Sequence, residues 1–220
     1  MLSPRVHSVA ASLARAEDDQ RDAFLYSLYA AYPLQSTLLI QAEQSYITIS
    51  SPEGIEGGFG DFQVRLRARL RSAPGRVLYA FSALRSGSGS RGVFPFASGS
   101  IDATFGFSVV DSLSLFSYWG TASTSFVWRA PEGSTETLAH DNFSTITAGI
   151  TLPLHDAFNV RLFAAGYFLM SGASREILGA VISCRTSSYV NLYATVLAEG
   201  GEREERISDI TAAAGARIFY

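Results

Sequence analysis

Lysine is missing altogether: the 17 basic residues of the 220-residue chain are all arginine. Arginine stays ionised and presents a planar fork of donors, so an arginine row is a better anion-recognition surface than a lysine row. Charge of either sign is scarce, at 17% of residues against an ordinary value of about 25%. Ser, Thr and Gly fill the non-apolar positions instead, as in a β-protein with one small-polar face. The net charge of −3 argues against nucleic-acid binding, which calls for a basic domain. Cys184 is the only cysteine, so neither an internal disulfide nor a cysteine metal site can form, and no cofactor is expected. No apolar run reaches the length of a spanning helix. Residues 1–15 make a poor secretory leader, so an exported form has lost its signal or the sequence is incomplete at its front.

What is present is alternation. From Asp61 to Arg71, Phe62, Val64, Leu66, Ala68 and Leu70 lie on one side, and Gln63, Arg65, Arg67, Arg69 and Arg71 on the other. A period of two is a β-strand, since successive side chains leave a strand on opposite faces. A helix would scatter these charges and leave no apolar stripe. Such a strand fits a soluble sandwich or lipocalin-like barrel with the arginines in water, or a transmembrane β-barrel with the arginines in a wet lumen.

The rest of the chain favours the second environment. Strands are expected at residues 5–15, 22–32 (ending at Pro33), 38–50, 61–71, 76–84 and from 101 to about 108. Others follow from a turn at 110–112 to near Trp128, then at 143–152, from 158, and at 176–186, 190–196 and 209–220. Loops are placed at 51–60, 85–98, 199–206 and from about 129 to His140. The strands run to roughly ten residues, the length a tilted strand needs to cross a bilayer. Short turns at one end are expected to alternate with long polar loops at the other. The reading is therefore a single-domain, all-β, antiparallel up-and-down transmembrane barrel of about twelve strands over residues 1–220, with the weakest signal in 1–20. An arginine on the lipid face costs roughly 2–4 kcal/mol at the midplane. A row of four would rival a whole domain's stability of about 5–15 kcal/mol, so the arginines belong inside.

A glycine-rich loop ending in Asp and opening an alternating strand, Gly58-Phe59-Gly60-Asp61-Phe62, resembles the outer-membrane transporter family named for the MetA pathway of phenol degradation. Gly99-Ser100-Ile101-Asp102 repeats the pattern. Ser208-Asp209, followed by Gly215-Ala216-Arg217-Ile218-Phe219-Tyr220, closes it. The resemblance implies a β-barrel in the bacterial outer membrane that moves small, aromatic solutes. Its partners would be membrane lipid, lipopolysaccharide and the barrel-assembly machinery. Ile218, Phe219 and Tyr220 look like the terminal signal that the machinery reads.

The candidate site is the lumenal ladder Arg65, Arg67, Arg69 and Arg71, because rows of arginine in pores select anions. Hairpin geometry is expected to bring Glu43 beside Arg67 or Arg69, and Tyr79 under a guanidinium. Arg161 and Arg217 should also face inward. The competing reading is a salt-bridge network with Glu43, Asp102 and Asp209 that fills a narrow, plugged barrel. His140, Asp141 and Ser144 are the nearest approach to a lipid hydrolase's catalytic set, but they match no such motif. Tyr118, Trp119, Phe126 and Trp128 read as interface girdle, or else as a stacking track within the pore. Glu199, Glu202, Glu204 and Glu205 read as a solvated loop.

Overall fold

The computed structural model describes residues 8–17, 22–52, 54–89, 101–129, 142–170, 172, 174–201 and 210–219. Every regular element among them is a strand: β1 (Ser8–Glu17), β2 (Asp22–Gln35), β3 (Leu38–Ser51), β4 (Gly54–Phe59), β5 (Gln63–Ala73), β6 (Arg76–Arg85), β7 (Ile101–Ser112), β8 (Ser117–Arg129), β9 (Phe143–His155), β10 (Phe158–Leu169), β11 (Ser174–Arg185), β12 (Val190–Gly201) and β13 (Ile210–Phe219). Sequence neighbours pair antiparallel except β4 and β5, which both pair with β3, and β1 closes the sheet by pairing with β13 on one side and β2 on the other. The barrel therefore closes on itself, and apart from β4, which pairs with β3 alone, its strands are paired on both sides, as lipid demands of a spanning β-structure.

The thirteen segments make a barrel of twelve staves, because β4 and β5 are two parts of one stave. β3 pairs with β4 through Tyr46–Ser51 and with β5 through Leu38–Glu43. The break falls on Gly60-Asp61-Phe62. A Cβ at Gly60 would run into the Ser45 hydroxyl, so any larger residue here would force that side chain to turn away. The Gly60 N–H donates to the Ser45 carbonyl at 2.9 Å, and the Asp61 carboxylate accepts the Gly89 N–H at 3.0 Å.

Alternation sorts the side chains onto two walls. The outer wall carries the large exposed apolar residues, among them Leu28, Leu66, Phe105, Phe107, Ile146, Leu178, Ile182 and Ile218. The inner wall carries Ser, Thr, Gly and arginines such as Arg65, Arg67, Arg161 and Arg217. Near the β1–β2 connection the inner wall turns apolar, where Ala16, Ala23, Ile47 and Ile49 pack with Leu25 inside the barrel.

Several boundaries differ from the expectation. Residues 54–59 are a strand, because β3 is long enough to pair with them. β2 runs through Pro33 to Gln35, with a register irregularity that accommodates the missing N–H. β7 extends to Ser112, its turn falling at 113–116, and β12 extends to Gly201. The loop asymmetry is real but not strict. Connections 86–100, 130–142 and 202–209 are long, whereas 18–21 and 170–173 are no longer than the turn at 113–116 on the opposite end. In barrels of this kind the short turns face the periplasm.

Candidate functional site

The inner wall is built in layers of strand, ring and guanidinium. Gly106 is bare because a Cβ there would collide with the Phe81 ring, and Arg65 in turn lies over Phe81, 5.5 Å from its centroid. At Gly149 the same reasoning applies to Trp119 and Phe163, and Arg161 lies 5.3 Å above Trp119. Arg67 stacks on Tyr79 at 3.7 Å, Arg217 on Tyr29 at 5.1 Å and Arg175 on Tyr167 at 5.3 Å. A ring face is electronegative, so it holds a cation flat and in place without neutralising its charge.

The arginines divide into paired and unpaired groups. Arg85 forms an ion pair with Asp102 at the long-loop end of the β6–β7 hairpin, its Nε donating at 2.7 Å. Arg175 donates to Glu199 at 2.6 Å, with both side chains buried. By contrast, Arg65, Arg67, Arg161 and Arg217 lie over rings of the inner wall and form no ion pair among the described residues. Arg67 feels Arg65 and the Tyr29 hydroxyl, Tyr29 feels both Arg65 and Arg217, and Arg161 feels Arg217. Glu43 is the carboxylate facing this group, and it acts on Arg65. Among the described residues, these four guanidiniums are set against the carboxylate of Glu43 on the strands of the inner wall. Two donors there are buried without a partner, Trp119 Nε1 and Arg217 Nε.

The expected ladder is only partly realised. Arg65 and Arg67 face inward, the latter donating to the Ser108 hydroxyl at 3.4 Å across the intervening strand. Arg69 donates to the Ser36 carbonyl at the short-turn mouth, at 3.1 Å. Arg71 leaves the row. A bulge between Arg69 and Arg71 shifts the register, so that Arg71 lies opposite Leu78, an outer-wall residue. A slip of one residue sends every later side chain to the other face.

Glu43 lies opposite Gln63 rather than beside Arg67 or Arg69, because the Gly60–Phe62 break sets the β3–β5 register. Arg65 is therefore the rung it reaches. Tyr79 does lie under a guanidinium, that of Arg67. Asp102 is inward but committed to Arg85, so it does not neutralise the ladder. Asp209, His140, Asp141, Glu202, Glu204, Glu205 and Tyr220 lie outside the described residues. Ser144 sits on the outer wall, its hydroxyl 3.1 Å from that of Thr124. Tyr118, Phe126 and Trp128 are on the outer wall, whereas Trp119 is lumenal, because adjacent residues of a strand take opposite faces. Sequence reasoning passed over Phe81, Tyr29 and Arg85. The signal for the first was an aromatic at an inward position opposite a glycine.

No family model and no curated protein matches the chain. Solved structures do. An outer-membrane channel from Pseudomonas putida F1 superposes with a TM-score of 0.76 at 8% identity, over 98% of this chain and 96% of that one. The NanC porin gives 0.70 at 10% identity, over 96% and 98%. The KdgM porin in complex with disordered oligogalacturonate gives 0.67 at 10% identity, over 97% and 99%. The chain has the fold of an outer-membrane channel. In that fold the apolar outer wall meets lipid, and the layered arginines face the barrel interior.

Proposed function

We propose that the chain is a bacterial outer-membrane channel for small anionic solutes, aromatic carboxylates included, and not an enzyme. The convergence of Arg65, Arg67, Arg161 and Arg217 on one stretch of lumen, with Glu43 as the opposing carboxylate, carries this reading. Taking four charges out of bulk water is costly, and a lumen built this way lowers that cost by holding a mobile anion. Arg69 at the short-turn mouth extends the positive lane toward the periplasm. KdgM was solved with oligogalacturonate, a polyanion, which supports the same class of solute here. The family named for the MetA pathway of phenol degradation is the finer assignment that the Gly58–Phe62 motif favours. In this reading Ile218, Phe219 and Tyr220 are read by the barrel-assembly machinery, and lipopolysaccharide surrounds the long-loop end.

Twelve staves lie between the filled eight-stranded barrel and the open sixteen-stranded one. The apolar cluster around Ile47 and the Arg85–Asp102 pair occupy the inner wall of the long-loop half, and passage is expected to be restricted to small solutes. Single-channel recording with citrate as the probe tests the reading. Citrate should produce transient current interruptions that disappear in an Arg161→Ser/Arg217→Ser variant, while a neutral sugar of similar size produces none. Equal interruptions by both solutes would contradict it. A silent, correctly inserted protein would favour a plugged structural barrel.

A further inference from the structure

A second cluster of arginines lies outside the lumen, on the lipid-facing wall at the short-turn end. Arg76 opens β6 and stands opposite Asp111, which stands opposite Tyr118. One carboxylate oxygen of Asp111 accepts from Arg76 Nε at 2.7 Å, from Arg76 Nη2, and from the Tyr118 hydroxyl at 2.7 Å. The carboxylate is nearly covered, with 11% of its side chain exposed, yet 64% of the Arg76 side chain is open. Asp111 thus fixes the plane of the guanidinium from one edge and leaves the remaining N–H groups facing outward.

The bulge in β5 adds a second cation. By turning Arg71 to the face of Leu78, it sets Arg71 on the wall that carries Arg76, one strand away and two residues along. Diagonal neighbours of this kind lie about 7–8 Å apart, close enough for both to reach one tetrahedral anion. Arg71 is exposed and makes no ion pair or hydrogen bond with the described residues. Exposed Leu70, Leu113 and Leu115 surround the pair with apolar surface. The Tyr118 ring opens a shallow apolar groove floored by Ala148 and Ala164 and walled by Ile150, Leu162 and Leu178.

We propose that Arg71 and Arg76 form a binding site for the phosphate of a phospholipid in the periplasmic leaflet, with one acyl chain in the groove that begins at Tyr118. The charge balance of two guanidiniums against one carboxylate leaves a single positive charge, matching a phosphodiester. Guanidinium forks recognise phosphate oxygens bidentately. A residue-costly bulge that carries a cation out of the lumen ladder to the lipid boundary is accounted for by this site. The site depends on the barrel sitting in a bilayer and is independent of conduction.

Native mass spectrometry of the refolded full chain, with insertion checked separately by heat-modifiable gel migration, tests it. Phosphatidylglycerol and a diacylglycerol with the same chains serve as probes. The wild type should retain phosphatidylglycerol well above diacylglycerol. An Arg71→Gln/Arg76→Gln variant should lose that preference, its phosphatidylglycerol occupancy falling about tenfold as charge-assisted hydrogen bonds are removed. Arg71→Gln alone, which removes no internal partner, should show a smaller fall and guards against a folding defect in the double variant. Equal retention of the two lipids by the wild type, or unchanged preference in the Arg71→Gln protein, would overturn the proposal.

Discussion

At the scale of single residues, the lumen is defined by what lies beneath each arginine. Arg67 keeps its charge and its place because Tyr79 lies 3.7 Å below it, and a ring can do this without contributing a counter-charge. Replacing Tyr79 by alanine should therefore cost stability without altering net charge. A desolvated cation–π contact contributes about 1–2 kcal/mol, so the urea midpoint of the refolded Tyr79→Ala barrel should fall correspondingly. The neighbouring Arg67→Gln change should remove the same contact, so the double variant should be less destabilised than the sum of the two. Full additivity would show that the stack contributes nothing. The same logic explains why lysine is absent from the inner wall: an ammonium lacks the flat face that stacks on a ring and still presents donors at its edge.

At the scale of elements, the sequence carried the alternation and the structure supplied the registers. The face of almost every strand was legible, because apolar and small-polar residues alternate cleanly in β5, β9, β10, β12 and β13. Arg161, Arg217 and the Arg67–Tyr79 contact followed from that pattern. The pairing of strands was not legible, since a register depends on turns and bulges whose residues look ordinary. Thus Glu43 meets Gln63, and Asp102 meets Arg85 rather than the ladder. Arg71 illustrates the limit best. Its position continues a faultless alternation, and nothing in the sequence announces the bulge at Leu70 that turns it outward. On a Cys184→Ser background, a spin label at Arg71→Cys should therefore be relaxed by lipid-dissolved oxygen, and one at Arg67→Cys by a water-soluble reagent. Deleting Leu70, the extra residue of the bulge, should leave residue 71 opposite Leu78 and its label in the lipid-accessible class. Water accessibility at both sites in the undeleted protein would mean that the ladder runs unbroken.

At the scale of the whole molecule, twelve staves close on themselves, the outer wall is mostly apolar, and Arg65, Arg67, Arg161 and Arg217 stack on rings inside. The net charge of the chain is −3, so the cationic lumen is a matter of placement and not of composition. Acidic residues of the 130–142 and 202–209 connections offset it in sequence, while Arg65, Arg67, Arg161 and Arg217 lie on the barrel's inner wall. The most direct test is the reversal potential of the refolded protein in a planar bilayer under a salt gradient, beside an Arg65→Ser/Arg67→Ser/Arg161→Ser/Arg217→Ser variant. Anion selectivity is expected in the wild type and should collapse toward the value for free diffusion in the variant. Cation selectivity, or anion selectivity that survives loss of all four guanidiniums, would contradict it.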